Sequence, residues 1–128
     1  MVKNYAKGYR AERELLHMLY GMGYAVLRAP HSGSIGIASP DIVAIKDGRV
    51  VVLECKSRAG AFTVPPEQLE ELAEWERRAG ATAYIAWKIA RKGWHFLKLK
   101  DVVENKGNIG FKFLDGRSLT IDDIESYR

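Results

Sequence analysis

The sequence predicts an α/β protein, a central mixed five-stranded β-sheet flanked by helices. Three observations lead there. Apolar positions recur at helical spacing in two segments and at strand spacing in five shorter ones, in the order α-β-β-β-α-β-β. An Asp-Gly pair at 47–48 joins two of the apolar runs as a hairpin, because both residues of such a turn must tolerate positive φ. Those two runs are apolar on both faces, which predicts central strands covered on both sides.

Taken in order, residues 4–22 read as a helix whose Leu15, Leu16, Leu19 and Met22 fall on one stripe, with Gly23 ending it. Residues 24–29 read as a strand, and 30–39 as a loop of small residues without periodicity. Residues 41–46 and 49–56 form the hairpin strands. Pro65-Pro66 opens a second helix, where a missing N–H does no harm, and the helix runs to about Ala79 before Gly80. Its Leu69, Leu72 and Ala73 are expected to face inward. Residues 81–88 and 94–99 read as two more strands. In the tail the pattern predicts a short strand near 111–114 and a helical turn after Thr120, where Thr120 and Asp123 resemble a capping box.

The whole of residues 1–128 is expected to form one domain, with 47% hydrophobic and 28% charged residues. No apolar run approaches the ~20 residues that span a bilayer, so no membrane association is expected. The first ten residues have no apolar stretch after their charges, so no secretory leader is expected. The single cysteine, Cys55, cannot form an internal disulfide, and no Cys/His group has zinc spacing. The expected compartment is the cytoplasm. The net charge of +4 is uneven. Lys3, Lys7, Arg10, Arg13, Arg28, Lys56, Arg58, Arg77, Arg78, Lys88, Arg91 and Lys92 lie in the first three quarters, whereas the stretch from Leu114 is acidic on balance. A field of this kind suits a polyanion such as nucleic acid.

A two-residue turn at Asp47-Gly48 places Asp41 directly opposite Glu54, and a four-residue loop would keep that register. Alternation then puts Asp41, Val43 and Ile45 on one face with Val50, Val52, Glu54 and Lys56, and Ile42, Ala44, Val51, Leu53 and Cys55 on the other. Facing carboxylates have Cβ atoms roughly 5 Å apart and repel each other. A hard divalent cation with oxygen ligands offsets that repulsion. Lys56 points the same way as Glu54, towards a scissile phosphate or an attacking water. Glu12 shares the helical stripe of Leu15, Leu16 and Leu19, so a carboxylate stands where a core residue is expected, facing a polar or metal-containing cleft. Arg10, Arg13 and His17 lie on the neighbouring face. A Pro-Asp followed by Glu-x-Lys arises by chance in on the order of a few chains per hundred. Its weight therefore comes from the opposed register and from Glu12. A surface ion pair with Lys56 is the bland alternative at Asp41 and Glu54, and a helix-end glutamate is the alternative at Glu12. Cys55 reads as a buried thiol whose backbone carbonyl is also a candidate metal ligand. Trp75 fits either a core position or a contact between copies.

The run Lys7-Gly8-Tyr9-Arg10-Ala11-Glu12-Arg13-Glu14-Leu15 resembles the opening helix of archaeal Holliday junction resolvases. So do residues 23–30 with Ser32-Gly33-Ser34, then Pro40-Asp41, then Glu54-Cys55-Lys56-Ser57. The likeness is close over 7–58 and looser over 66–99, through Ala79-Gly80-Ala81 and Lys88, and none is evident for 100–128. The resemblance implies the restriction-endonuclease-like nuclease fold, a homodimer, and paired Mg²⁺-dependent cuts in four-way or branched DNA during recombination and repair, with Mn²⁺ able to substitute. It implies that Glu12, Asp41, Glu54 and Lys56 are catalytic, with Ser32 as an accessory and Glu12, Asp41, Glu54 and the Cys55 carbonyl as metal ligands. It implies DNA contacts by Arg10, Arg13 and Arg28, to which the basic pattern adds Lys7, Arg58 and Lys88. The rival expectations are a nuclease for forks or flaps, and a junction-binding module that does not cut.

Overall fold

The computed structural model describes residues 2–29 and 36–126, and side chains from residue 7 onward. The long first helix α1 (Val2–Gly21) leads into β1 (Ala25–Arg28), and β2 (Ile42–Lys46) and β3 (Arg49–Ser57) follow as a hairpin. After the short β4 (Phe62–Thr63) come α2 (Pro66–Ala79), β5 (Thr82–Ile89) and β6 (Gly93–Lys98). The chain ends with α3 (Leu99–Glu104), β7 (Asn108–Ile109), α4 (Phe111–Leu114) and α5 (Ile121–Ser126). The main sheet has five strands in the order β1-β2-β3-β5-β6, with β3 and β5 parallel and every other pair antiparallel. The mixed five-stranded sheet is therefore as expected, and β4 with β7 adds a second, two-stranded sheet.

Period-two alternation along the hairpin builds two cores. Ile42, Ala44, Val51 and Leu53 face α1 and pack with Leu15, Leu19, Phe96 and Ile124. Val52 faces the other way, with Leu72, Ile85, Trp87, Leu97 and Val102. Leu15 and Leu19 are completely buried, which stabilises α1 on the sheet by about 1.5–3 kcal/mol per side chain. The expected cover on both faces is met at the middle of β3, where Val51, Val52 and Leu53 are buried, but not at β2. Ile45 is 43% exposed and its neighbour Leu27 on β1 is 67% exposed, because α2 packs against β3 and β5 and leaves the outer strands bare on that side.

The hairpin turn is of the expected type, with φ of 51° at Asp47 and 78° at Gly48. α1 ends through Schellman-type bonds, Gly23 N–H to Tyr20 carbonyl and Tyr24 N–H to Leu19 carbonyl. The capping box is present, with Thr120 N–H donating to Asp123 and Asp123 N–H to Thr120 Oγ1. α5 is tied to the far end of the hairpin. Glu125 accepts from Tyr24 Oη at 2.8 Å and from Lys46 Nζ, and Arg49 donates to the Glu125 carbonyl. Leu119 and Phe96 exchange backbone bonds at 2.9 and 3.0 Å, so the tail also extends the edge of β6.

One expectation for the tail fails. The segment 111–114 is one turn of helix rather than a strand, since Phe113 N–H bonds back to Gly110 and only Phe113 is buried there. The helix α3 and the β4–β7 pair were not foreseen, because each is too short for periodicity to mark. Among the described residues no helix is long and apolar enough to cross a membrane.

Gly107 sits where this small sheet meets the α2 side of the molecule. Its φ is 86°, and a Cβ there would lie 2.4 Å from the Val64 carbonyl oxygen. Gly48, by contrast, has open space around it. Urea unfolding should therefore show Gly107→Ala losing about 2–4 kcal/mol and Gly48→Ala about 1 kcal/mol. Equal losses at the two positions would mean that crowding at Val64 is not what demands glycine.

Candidate active site

The β2–β3 register pairs Ile42 with Leu53 and Val43 with Val52, so Asp41, one residue before β2, falls across from Glu54. The Asp41 side chain continues the ladder where the backbone stops, since its Oδ2 accepts the Cys55 N–H at 2.8 Å. A charge-assisted bond of this kind both orients the carboxylate and satisfies an amide at the end of the sheet. Glu54 and Lys56 project from the same face, with Lys56 Nζ 3.7 Å from Glu54 and their side chains only 12% and 14% exposed. The closer partner of the ammonium is Gln68 on α2, whose Oε1 accepts from it at 2.8 Å. The lysine is thus held between strand and helix and leans only loosely on Glu54.

Burial, and then the charge of Asp41, push the Glu54 carboxyl up from its ordinary value near 4.5 to about 8. Lys56 opposes the shift, and Glu71 and Glu12 add to it. Burial chiefly, with Asp41 next, also pushes the Cys55 thiol up, as suits the inert thiol expected there.

Glu12 reaches the same end of the sheet from the other side, on α1. Among the described residues it is the one buried charged side chain, 6% exposed, and Arg28 on β1 donates to it through Nε at 2.9 Å. The Arg28 guanidinium also lies 4.5 Å from the centre of the Tyr9 ring. The expected cleft-facing glutamate is therefore compensated by an arginine. Among the described residues no three His, Cys, Asp or Glu side chains are gathered closely enough to hold a metal ion. Ser32 lies outside the described residues.

Of the remaining basic residues, Lys7, Arg10 and Lys88 line one groove with Glu14 and Ser57, of about 330 Å³, between α1 and the ends of β3 and β5. Lys88 donates to Glu14 at 2.8 Å, and Trp94 Nε1 does so at 2.7 Å. Arg13 is exposed on α1, and Arg58 lies over the Phe62 ring. Trp75 packs partly against the α2-side core and donates its indole N–H to the Ala38 carbonyl at 3.1 Å. Gln68 and Glu71 escaped the sequence reading. The available signal was that Gln68 stands four residues before buried Leu72, a polar side chain on an inward stripe as Glu12 is on α1.

The sequence model of the archaeal Holliday junction resolvase family (Hjc) matches residues 3–124. The chain belongs to that family. The match takes in residues 100–124, where no likeness was evident from the sequence alone. The crossover junction endodeoxyribonuclease Hjc of Archaeoglobus fulgidus is 34% identical over 104 residues, 80% of this chain and 76% of that protein. The Hjc of Sulfurisphaera tokodaii is 33% identical over 110 residues, 84% and 76% of the two chains. The 1.6 Å structure of Archaeoglobus fulgidus Hjc, a Holliday junction resolvase from an archaeal hyperthermophile, superposes with a TM-score of 0.82 at 29% identity, covering 91% of this chain and 98% of that one. The fold is therefore that of the Hjc resolvases.

The raised Glu54 sets the pH behaviour of this Hjc-family chain. Between about pH 4.5 and 8 the folded protein keeps a proton at Glu54 that the unfolded chain has released. Stability therefore falls as pH rises through that window, by on the order of a few kcal/mol. Thermal melts in chelator should show this fall, and Glu54→Gln, which has no proton to release there, should flatten it. A wild-type curve level from pH 5 to 8 would mean that the Glu54 charge is already compensated.

Proposed function

We propose that the chain is a structure-specific endonuclease that resolves four-way DNA junctions by paired, divalent-cation-dependent phosphodiester cleavage. The observation that carries this reading is the pair of acids on one hairpin, Asp41 fixed by the Cys55 amide and Glu54 raised beside Lys56, in a member of the Hjc family.

The donor chemistry fits a hard cation. Asp41 and Glu54 offer carboxylate oxygens, and Glu54 is pushed up by burial first and by the Asp41 charge next, both of which a bound cation would offset. These two residues would hold Mg²⁺, or Mn²⁺ in its place, with the Cys55 carbonyl as a further ligand and Glu12 acting through a water. The bound ion supplies a lower pKa for the attacking water and neutralises charge on the phosphate. The remaining work falls to the chain. Lys56, steadied by Gln68, presents an ammonium to the attacked phosphate and stabilises the charge that builds there. Lys7, Arg10 and Lys88 line a groove beside the site that suits the DNA backbone, with Arg13, Arg28 and Arg58 extending the basic track, and the family resemblance adds Ser32 as an accessory residue. In this reading the protein works in the cytoplasm, at the nucleoid.

One site cuts one strand, so resolution needs two sites facing a pseudo-twofold junction, as in a C₂ homodimer. The bare apolar surface of β1 and β2, with Leu27 and Ile45 exposed, supports pairing with a second copy. On this reading Leu27→Glu yields a monomer in sedimentation and loses paired cuts while single nicks persist. A monomeric wild type that still makes paired cuts would remove the dimer from the account.

Cleavage of a fixed four-way junction, compared with fork, flap and linear duplex, tests the main reading. Cutting is expected with Mg²⁺ and not with chelator, strongest on the junction and weakened by salt. Asp41→Asn or Glu54→Gln should slow cutting at least about 100-fold with junction binding intact. Binding without any nick in Mg²⁺ or Mn²⁺ would favour a non-catalytic module, and preference for forks or flaps would redirect the substrate.

A further inference from the structure

On the flank of Lys56 away from Asp41 lies a group of rings and cations that this mechanism leaves unused. Lys56 pairs with Trp87 in the parallel β3–β5 ladder, so the two share a face on neighbouring strands roughly 5 Å apart. Trp87 is fully buried, and its indole N–H donates to the Arg58 carbonyl at 3.0 Å. Phe62 meets the Trp87 ring edge-on at 5.1 Å, and Phe111 lies tilted against it at 5.5 Å. Phe111 is nevertheless 48% exposed, a large ring left half in water. The Lys92 ammonium stands 5.1 Å over that ring, and the Arg58 guanidinium 5.7 Å over Phe62. Arg58, Arg91, Lys92 and Lys112 are all exposed around this cluster.

We propose that Phe111, with Lys92 over its ring and Arg58 over the ring of Phe62, is a subsite for an unstacked nucleobase at the branch of the substrate. The inference deepens the endonuclease reading above and rests on it. Phosphate contacts along the basic groove hold any duplex, since every duplex presents the same backbone. A branch differs in offering base faces that have lost a stacking neighbour. A half-exposed aromatic ring takes such a face whatever the base, because every base has a π surface. Trp87, locked in the core behind Phe111, keeps the ring from turning away. Lys92 covers the ring in the free protein. Its flexible stem lets the ammonium swing to the phosphate of the incoming nucleotide, exchanging one favourable contact for another. The subsite packs on Trp87, the β5 partner of Lys56, so holding a branch base there registers the scissile strand against Asp41 and Glu54.

The test uses the full chain in chelator with a four-way junction carrying 2-aminopurine at the branch, and a linear duplex of matched length. Phe111→Ala and Phe111→Leu should each reduce the preference for junction over duplex about ten-fold, a typical loss for one stacked base. Phe111→Trp should keep that preference. Binding of the wild type should quench 2-aminopurine fluorescence, and binding of Phe111→Leu should not. Should Phe111→Ala fail to fold, the Leu and Trp variants still decide. Equal preference in Phe111→Leu and the wild type would reduce the ring to apolar packing and overturn the subsite. A wild type that neither binds nor cuts junctions would overturn the endonuclease reading itself, a result visible before any substitution is made.

Discussion

A two-residue turn with both residues at positive φ holds the rest of the structure in register. Asp47 and Gly48 allow β2 and β3 to pair without slippage, and a slip of one residue would turn every side chain of one strand to the opposite face. Ile42 and Ala44 would leave the α1-side core, and Asp41 would lose both Glu54 and the Cys55 amide. The packing of two cores and the alignment of two acids are thus one constraint. The apolar residues near the turn supply the free energy that keeps the charged residues at the other end facing each other. The cost of the buried acids, visible in a Glu54 raised by burial first and by Asp41 next, is sustained by apolar packing elsewhere along the same strands.

Much of this was legible in the sequence because each signal was strong and local. The hairpin, its register, the two long helices and the sequence of elements along the chain came from turn chemistry and periodicity over five or more residues. Asp41, Glu54 and Lys56 followed from that register. The segments that escaped are those where two to six residues adopt a structure set by distant partners. β4 exists because β7 comes to meet it, and α4 forms under the α2-side core with a single buried anchor, Phe113. Gln68 escaped for a related reason. Its importance lies in the Lys56 ammonium across from it, and that contact depends on how α2 crosses the sheet. Arg28 was read as a DNA contact from the family resemblance, while its partnership with Glu12 depends on β1 lying beside α1.

The basic residues do not stand alone. Arg28 is engaged by Glu12 and Lys88 by Glu14, so two members of the expected DNA track already hold carboxylates in the free protein. Such pairs weaken non-specific attraction to a phosphate backbone, since each cation brings less net charge to the encounter. A junction-directed protein benefits from that restraint, because ordinary duplex vastly outnumbers branched DNA. Specificity then rests on shape and on contacts that a continuous helix does not offer.

The docking of α5 has a consequence for the order in which the protein becomes competent. Ile124 completes the core that α1 begins, and Glu125 clasps Tyr24 and Lys46 at the foot of the hairpin. During translation the hairpin with its acids emerges long before these residues do. Until they arrive, the sheet behind the site is unsealed and its strands are free to breathe. A growing polypeptide therefore carries its cleavage chemistry in a slack frame, and the frame tightens only as synthesis reaches the last helix.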